Sequence, residues 1–390
     1  MSKPLKIAIY SGEIPSTTFI ERLILGLSAQ GHQLYVFGLL HKKPVYPFLV
    51  KVAGYKPQMF YKAYHLVKYS VLLFLFKYKA KRTLDSLLRA THQDTMNYKV
   101  KYYPVLWYRP DVFHVQWAKS IEDWLWVQAF GMKLVLSLRG AHINYSPIAD
   151  PALAALYRRC FPKVDRFHAV SKAIGKEAEL YGAEVSKIHV VYSGLDSKPL
   201  GLSTTSETVN LNIISVGRPH WVKGYPYALD TCKLLKEKNI PFRYTIIGAA
   251  PDLELVYHVK DLDLSNEVSL TQPLTFNEVQ KLVRQADVLV LPSVKEGIAN
   301  VVLEAMALGT LVLSTDCGGM DEVIADGENG YLVPVRDPKA LAERLVHISS
   351  LTQDQKAVLL SNAQATIEQQ HTSLKMIHDM EALYQKVMSK

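Results

Sequence analysis

Residues 288–309 read VLVLPSVKEGIANVVLEAMALG. The apolar residues at the start predict a buried strand, which Pro292 and Ser293 end. The apolar run from Ile298 predicts a helix that stops at Gly309, because glycine is favoured just past a helix C-terminus. The first N–H groups of a helix lack internal partners, so a strand, a loop and a helix start in this order predict an anion-binding site.

Two carboxylates flank this helix start. Glu296 precedes the helix and Glu304 lies within it. A carboxylate beside an anion site can accept hydrogen bonds from sugar hydroxyls while the helix amides hold phosphate, so the pair favours a nucleotide-sugar as ligand. The alternative is structural, since similar strand-turn-helix units occur in many α/β proteins and Glu304 would then be a solvated charge.

Length and composition indicate a folded chain of two domains. It has 390 residues, of which 49% are hydrophobic. Its cysteines, Cys160, Cys232 and Cys317, lack disulfide or metal spacing, which suits a reducing cytosol. The N-terminus lacks the features of a signal peptide, and the apolar run at 71–76 is far shorter than the roughly 20 residues that span a bilayer. We expect a cytoplasmic protein that at most attaches peripherally to the inner face of the plasma membrane.

Charge is distributed unevenly along the chain. The net charge of +9 combines an excess of 15 cations in residues 1–200 with an excess of 6 acids in residues 201–390. Residues 42–109 hold 14 Lys and Arg against Asp85 and Asp94, and aromatic residues alternate with the lysines. This pattern predicts binding at an anionic membrane surface. The alternatives are a solvated helix face and, less favoured, a groove for single-stranded nucleic acid.

Strand and helix patterns alternate along the whole chain. Strands are predicted at 6–10, 33–38, 112–116, 133–138, 166–170, 189–191, 211–216, 243–248, 288–291 and 311–314. Helices are predicted at 18–30, 121–130, 151–160, 171–181, 225–238, 277–285 and 301–308. This order predicts an α/β fold of two Rossmann-like domains with parallel sheets, and a ligand in the cleft at the carboxyl ends of the strands. No Gly-x-Gly-x-x-Gly motif occurs, which weighs against a redox dinucleotide site.

Composition also divides the chain. Residues 193–210 are rich in Ser, Thr, Gly and Pro and predict a linker. We therefore predict one domain at 1–195, a second at 196–371, and a C-terminal helix at 372–390 that packs back on the first domain.

A second polar motif ends the first strand of the second domain. Residues 215–224 read SVGRPHWVKG, which places Arg218 and Lys223 at the carboxyl edge of the predicted sheet. Arginine forms a fork of hydrogen bonds to phosphate, and lysine adds a mobile charge. Together they can stabilise the charge that grows on a leaving diphosphate. Such residues in one loop are usually solvated, but beside two carboxylates in the same domain they indicate a diphosphate site.

These motifs resemble those of retaining glycosyltransferases of family 4, which have the two-domain GT-B fold. The resemblance covers nearly the whole chain. It is carried by two motifs and three supporting segments: Gly217-Arg218 with Lys223-Gly224, Glu296 with EAMALG at 304–309, AVSKA at 169–173, VYSGLD at 191–196, and the turn after Gly248.

The resemblance implies a role for each motif in the donor domain, residues 196–371. Arg218 and Lys223 would contact the donor diphosphate, and Glu296 would contact the transferred sugar. The amides of Asn300 and Val301 would reach the sugar or the phosphate.

The same resemblance extends to the ends of the nucleotide. Glu304 would accept hydrogen bonds from the ribose hydroxyls, and the backbone at Leu274 would contact the base. Gly12 would supply an amide from residues 1–195, the acceptor-binding domain. Three further glycines complete the donor-binding set: Gly217, Gly248 and Gly297.

One segment departs from the family pattern. Residues 137–144 read SLRGAHIN, where the family usually has His-Gly-x-Asp, so Arg139 stands at the His position and His142 where Asp is common. Arg139 cannot be a general base because its pKa is too high, but it can hold a leaving-group or acceptor oxygen. Arg139, His142 and His114 are the acceptor-side candidates, and a structural role for His142 is the alternative. The catalytic candidates are Glu296, Arg218, Lys223, Arg139 and His142.

The resemblance implies a mechanism without an enzymic nucleophile, metal or cofactor, in which the leaving diphosphate accepts the acceptor proton. The resulting prediction is a retaining bacterial glycosyltransferase. It would move a sugar from a nucleoside diphosphate such as UDP to a saccharide or lipid-linked acceptor in polysaccharide or glycolipid synthesis. The alternatives are a non-transferring nucleotide-sugar epimerase of GT-B fold and a catalytically silent binding partner, which Arg139 suggests. No nucleic-acid partner is expected.

Overall fold

A computed structural model describes residues 3–196 and 210–389. The chain divides into two compact units. The first comprises Met1–Val170, Ile174–Val191 and Ser373–Lys390, and the second comprises Ser171–Ala173 and Tyr192–Thr372. Most of the predicted linker, 197–209, lies outside the described residues.

The first unit contains a seven-stranded sheet. Its strands are β1 Lys6–Ile14, β2 Gln33–Leu40, β3 Val50–Tyr55, β4 Val112–Val115, β5 Lys133–Leu138, β6 Arg166–Ala169 and β7 Ile188–Val190. The order is β3-β2-β1-β4-β5-β6-β7, and every pairing is parallel. The central strands are buried along both faces, as expected for a parallel sheet that helices cover on both sides.

Helices connect these strands. They are α1 Thr18–Ala29, α2 Met59–Phe76, α3 Tyr78–Ala90, α4 Met96–Tyr108, α5 Ala141–Asn144, α6 Ser146–Ala149, α7 Pro151–Cys160 and α8 Lys172–Glu179. Three 3-10 segments add to them: Ala118–Phe130, Phe161–Lys163 and Val185–Lys187. The helix predicted at 121–130 is therefore a 3-10 segment that starts three residues earlier.

The second unit contains a six-stranded sheet. Its strands are β8 Leu211–Val216, β9 Phe242–Ile247, β10 Val268–Thr271, β11 Val288–Leu291, β12 Leu311–Thr315 and β13 Tyr331–Val333. The order is β10-β9-β8-β11-β12-β13, again with parallel pairings. Both sheets reverse their order beside the first strand, which is the arrangement of Rossmann-like domains. The prediction of two parallel-sheet α/β domains is confirmed.

Six helices surround this second sheet. They are α9 Tyr225–Glu237, α10 Leu253–Asp261, α11 Phe276–Gln285, α12 Asn300–Leu308, α13 Pro338–Ser349 and α14 Gln353–Gln370. Capping boxes start two of them, with Thr275 and Glu278 at α11 and Thr352 and Gln355 at α14. Gly309 ends α12 in the left-handed conformation that the sequence predicts there.

The last helix, α15 Ser373–Met388, belongs to the first unit. Its apolar face shares a core cluster with α1 and β1. The approach to α1 is close, because a Cβ added at Gly26 would lie 2.4 Å from Ile377 Cδ1. A hydrogen bond of 2.7 Å between His32 Nε2 and Glu381 Oε1 also ties α15 to the unit. None of the described helices is both long and apolar enough to cross a bilayer.

Candidate functional site

The loop after β8 carries Arg218 and Lys223. Gly217 has φ +155°, and its carbonyl accepts a hydrogen bond of 3.0 Å from the Tyr225 hydroxyl. Gly224 has φ +65°, and a Cβ there would lie 1.9 Å from the Pro292 carbonyl oxygen. Only glycine therefore allows this loop to approach the one after β11. Arg218 is exposed and forms no ion pair with any described residue.

Lys223 and Glu296 meet although 73 positions separate them. Their Nζ and Oε1 atoms lie 2.8 Å apart, and the side chains are 23% and 17% exposed. The Ser293 hydroxyl donates to the same carboxylate oxygen at 3.0 Å. Two predicted site residues from separate motifs thus form one partly buried, charge-balanced pair.

Backbone contacts on two sides hold the loop that carries Glu296. On one side the Val294 N–H donates to the Val222 carbonyl at 2.8 Å, and on the other the Gly319 N–H donates to the Gly297 carbonyl at 2.8 Å. A Cβ at Gly318 would lie 1.8 Å from the Glu296 carbonyl oxygen. Residues 318–319 therefore position the loop that carries the Glu296 carboxylate. The sequence did not predict this role. The Gly-Gly pair that follows the buried strand β12 is a signal in the sequence that could have indicated a close backbone approach.

Helix α12 begins directly behind this loop at Asn300, two residues after the apolar run predicted to start the helix at Ile298 and one residue before the predicted range 301–308. Ala299 occupies the N-cap position and no side chain caps the helix. Helical geometry leaves the N–H groups of Asn300 and Val301 without acceptors inside the helix. Glu304 is half-buried and lies one turn beyond Asn300, hence on the same face. The start of α12 combines free donors and positive potential with a carboxylate one turn away.

The remaining donor-side candidates follow neighbouring strands. Gly248 comes directly after β9 with φ +84°, and its N–H donates to the Thr271 carbonyl at 3.1 Å. Leu274 follows β10 and is 36% exposed just before the capping box of α11. The loops after β10, β9, β8 and β11 leave one edge of the second sheet, so these candidates share that edge.

A carboxylate absent from the sequence predictions lies near the same edge. Glu322 Oε1 and Oε2 accept hydrogen bonds from the Ala173 and Lys172 N–H groups at 2.9 and 2.8 Å. The Tyr192 hydroxyl donates to Oε2 at 3.0 Å. These three partners belong to the second unit and come from the AVSKA and VYSGLD segments, so Glu322 links the backbone of the first motif to the Tyr192 side chain of the second.

In the first unit, the loop after β1 borders a cavity of about 820 Å³. Gly12 and Trp117 line it, and so does His142. Trp117 is half-buried, and its ring lies 5.3 Å from that of His142. Four charged side chains complete the polar part of the wall: Glu13, Lys101, Lys119 and Asp123. The cavity combines an aromatic surface with balanced charges.

His142 is a neutral polar group in this wall. Its Nδ1 atom is buried without a hydrogen-bond partner among the described residues. Burial, and then the charge of Lys119, lower the pKa of His142 to about 4. The imidazole is therefore uncharged near pH 7, and a neutral imidazole can donate or accept a hydrogen bond.

His114 belongs to a buried chain of hydrogen bonds. His168 Nε2 lies 3.1 Å from the Val191 carbonyl, which can only accept, so His168 Nδ1 must accept from the Ser137 hydroxyl at 2.9 Å. Ser137 Oγ then accepts from His114 Nε2 at 2.8 Å, and His114 Nδ1 accepts from the Tyr384 hydroxyl at 2.8 Å. Burial lowers the pKa of both histidines, consistent with neutral rings. His114 is fully buried and both its nitrogens are engaged, so it cannot contact an acceptor directly in this conformation.

Arg139 lies beside these hydrogen-bonded residues, and none of the described acidic residues pairs with it. Its Nη2 donates to Gln116 Oε1 at 3.2 Å, and its guanidinium lies 4.4 Å from the Phe19 ring centre. Its Nε atom is buried and makes no hydrogen bond to the described residues. Burial lowers the pKa of Arg139 to about 9, which still leaves it charged at neutral pH. A buried cation without a carboxylate is costly, so this site favours an anionic or strongly polar ligand group.

Two family models match the chain. Residues 16–198 match the model described as Glycosyltransferase Family 4, and residues 210–350 match the one described as Glycosyl transferases group 1. Among curated relatives, the putative colanic acid biosynthesis glycosyltransferase WcaL of Escherichia coli K12 is 32% identical over 54% of each chain. The amylovoran biosynthesis glycosyltransferase AmsK of Erwinia amylovora is also 32% identical over 54% of each chain. The match thus spans about half the length of these relatives.

Solved structures extend the comparison to the whole chain. The sucrose-phosphate synthase of Thermosynechococcus elongatus superposes with a TM-score of 0.76 at 15% identity and covers 99% of each chain. The Anabaena protein HepE, in complex with UDP and glucose, gives 0.69 at 17% identity over 98% of this chain and 100% of its own. At such identities the likeness concerns the fold. Both sheets match those of GT-B proteins, and the chain belongs to the family 4 glycosyltransferases.

Proposed function

We propose that this protein is a retaining, metal-independent glycosyltransferase of bacterial surface-polysaccharide synthesis. It would transfer a sugar from a nucleoside diphosphate to a saccharide or lipid-linked acceptor. The observation that carries the proposal is the Lys223–Glu296 pair at 2.8 Å, in front of the uncapped start of α12. The names of WcaL and AmsK support the polysaccharide assignment, and the complex of HepE with UDP and glucose supports a UDP-sugar donor.

The donor end of the proposal rests on charge. A diphosphate needs cations and N–H donors, which Arg218, Lys223 and the amides of Asn300 and Val301 supply. Glu296 accepts hydrogen bonds only, so it suits sugar hydroxyls rather than phosphate. Its contact with Lys223 supports this proposal, because the sugar position would then lie next to the phosphate position, as the connectivity of a nucleoside diphosphate sugar requires.

The chemical step would need no nucleophile from the protein. The acceptor oxygen bonds to the anomeric carbon on the face from which the diphosphate departs. The bond between that carbon and the diphosphate oxygen breaks, its electrons stay on the diphosphate, and that oxygen takes the proton of the acceptor hydroxyl. Lys223 and Arg218 stabilise the growing charge, and positioning supplies the rest of the acceleration.

The acceptor would use the cavity of the first unit. A saccharide ring presents an apolar face that can lie on Trp117, while Glu13 and Asp123 accept hydrogen bonds from its hydroxyls. His142 is neutral and can bond to a hydroxyl. Arg139 would hold an acceptor oxygen or a charged substituent, since it has no acidic partner among the described residues.

The test combines donor binding with product analysis. Thermal-shift measurements with UDP-, GDP- and ADP-sugars should show one nucleotide that raises Tm, since a ligand specific for the folded state stabilises it. With that donor and a lipid-linked saccharide fraction, a product with the anomeric configuration of the donor supports retaining transfer. Conversion of the free nucleotide-sugar to an epimer, or binding without transfer or hydrolysis, would contradict the proposal.

A further inference from the structure

Helix α2 exposes a continuous apolar stripe. Phe60, Tyr64, Val67, Val71 and Phe74 follow one another at intervals of four and three residues, which places them on one helix face. Between 49% and 77% of each side chain is exposed. Soluble proteins rarely leave so many adjacent large apolar side chains in water without a binding purpose.

The opposite face of α2 anchors the helix to the first unit. Tyr69 and Leu73 are fully buried, and Leu66 packs against the same core cluster. The Tyr69 hydroxyl donates to the Tyr108 hydroxyl at the end of α4. The stripe therefore faces outward while the opposite face of α2 packs on the core of the first unit. The stripe is exposed even though the helix is fully docked on its own domain.

The charges around the stripe decide which partner fits. Four nearby cations, Lys56, Lys68, Lys79 and Arg82, are exposed. The two acids of residues 42–109 already have partners, since Asp85 accepts from Lys81 at 2.7 Å and Asp94 pairs with Lys99 at 2.5 Å. A second copy of this surface would bring like charges together, whereas anionic lipid headgroups complement them.

We propose that α2 lies in the interface of an anionic bilayer, with its apolar stripe below the headgroups and with Lys56, Lys68, Lys79 and Arg82 at headgroup level. The helix has 18 residues, so it is about 27 Å long and offers a line of contact rather than a single anchor. Tyrosine and phenylalanine suit the boundary between headgroups and acyl chains, where aromatic side chains are often found on helices that lie in the membrane interface. The apolar side chains of the stripe thus insert into the bilayer. The cations add an electrostatic attraction to the anionic headgroups, which salt weakens by screening.

Helix α2 also lies next to the proposed acceptor cavity. Tyr55 lines the cavity, and its ring lies 6.0 Å from that of His65 on α2. A bilayer that holds α2 would bring a lipid-linked saccharide close to the cavity. This last step rests on the proposed function, whereas membrane binding does not.

The first experiment measures co-sedimentation with vesicles of phosphatidylcholine containing phosphatidylglycerol, without donor or acceptor. The triple variant Phe60→Ser, Val67→Ser, Phe74→Ser should lose at least about tenfold in vesicle affinity, because burial of a single large apolar side chain already contributes roughly a tenfold factor. The matched control is Leu253→Ser with Tyr257→Ser, which removes exposed apolar groups from α10 and should bind like wild type. Wild type that stays in the supernatant at low salt, or a triple variant that pellets like wild type, overturns the proposal.

Charge variants need to spare residues that stabilise the fold. Lys77 donates to the Trp107 carbonyl at 2.7 Å and Lys81 pairs with Asp85, so both serve the fold. Lys56→Gln, Lys68→Gln and Lys79→Gln change exposed side chains and should weaken binding to anionic vesicles, with less effect as salt rises. Equal binding of wild type to vesicles of phosphatidylcholine alone would remove the anionic part of the proposal.

A second experiment separates insertion from adsorption and from self-association. Cys160, Cys232 and Cys317 are buried, so Val67→Cys can be labelled selectively with an environment-sensitive dye. Its emission should shift to the blue with anionic vesicles and be quenched by spin labels on the acyl chains, whereas labelled Leu253→Cys should not respond. An unchanged emission at position 67, or a lipid-free dimer that the triple variant dissociates, overturns insertion and assigns the stripe to another partner.

Discussion

Lys223 and Glu296 neutralise each other across 2.8 Å, and each also suits a different part of one ligand. Lysine can donate to phosphate and glutamate can only accept from hydroxyls. Their pairing holds the two side chains against each other at the edge of the sheet, which reduces the rotamer freedom that a ligand would have to restrict. The ion pair itself is partly exposed, so its value lies in positioning rather than in stability.

At this scale the first prediction concerns the cations. Arg218→Ala and Lys223→Ala should each lower turnover at least about tenfold, since loss of one charge-stabilising donor commonly costs a few kcal/mol in the transition state. Both proteins should keep the unfolding midpoint of wild type within error, because Arg218 is exposed and Lys223 forms one partly exposed ion pair, with Glu296. Lys281→Ala removes an exposed lysine of α11 and is the control. Near-wild-type turnover in either variant would refute the diphosphate role.

The two carboxylates give the second prediction. Glu304→Gln should weaken binding of the free nucleoside diphosphate, because its proposed ribose contact does not need the sugar. Glu296→Gln should leave nucleotide affinity nearly unchanged but reduce transfer, since its proposed partner is the sugar. Calorimetry with UDP and initial rates with the UDP-sugar measure the two effects. If Glu296→Gln weakened nucleotide binding and Glu304→Gln affected transfer alone, the proposed sugar and ribose roles of the two carboxylates would have to be exchanged or dropped.

At the scale of elements, glycines decide how loops meet. Gly224 and Gly327 both have positive φ, at +65° and +78°. A Cβ at 224 would lie 1.9 Å from the Pro292 carbonyl oxygen, whereas one at 327 would meet nothing within 4 Å. A substitution at Gly327 therefore tests backbone strain alone, whereas a substitution at Gly224 tests backbone strain together with the close contact between the two loops.

The third prediction uses this contrast. Gly327→Ala should destabilise by about 1–2 kcal/mol, the usual cost of a left-handed alanine. Gly224→Ala should cost more and also lower activity, because the loops of Lys223 and Glu296 must move apart. Urea unfolding and turnover of both variants check the difference. Equal stability and equal activity of the two variants would contradict the proposed loop contact.

The sequence predicted the alternating elements and the site motifs, but some elements escaped it. β3 alternates too weakly to predict a strand, since Gly54 interrupts it. Apolar residues occupy both faces of α2, so periodicity cannot tell which face packs inward. The close contact of Gly318 and Gly319 with the loop of Glu296 also brings together two segments that are distant in sequence, and local sequence patterns do not encode such a contact. Local chemistry was predictable, whereas contacts between distant segments were not.

At the scale of the whole molecule, α15 completes the first unit from the far end of the chain. Tyr384 donates to His114, 270 positions away, and so starts the buried chain that reaches Val191. Tyr384→Phe would leave His114 Nδ1 buried without a donor. The fourth prediction is a loss of about 1–3 kcal/mol in unfolding free energy, the cost of an unsatisfied buried group. Tyr257→Phe, on the surface of α10, is the control, and equal effects of both changes would contradict the structural role of α15.

Acid sensitivity should also differ between the two units. Burial lowers the pKa of five histidines of the first unit from the usual 6.5: His65, His142 and His189 to about 4, His168 to about 3, and His114 well below its usual value. In the unfolded chain each protonates near 6.5, so between that pH and the folded pKa the unfolded state binds more protons. The free energy of unfolding must then fall as the pH falls through this window.

The last prediction follows from the uneven distribution of these groups. Among the described residues of the second unit, burial lowers a histidine pKa at His371. The first unit should therefore open first as the pH drops from about 7 to about 5, because more of its histidines gain a proton on unfolding in this range. Hydrogen exchange mapped along the chain measures this, and His65→Gln with His189→Gln should flatten the pH dependence while the exposed His92→Gln should not. Simultaneous opening of both units, or equal slopes in the two variants, would show that acid acts through other groups.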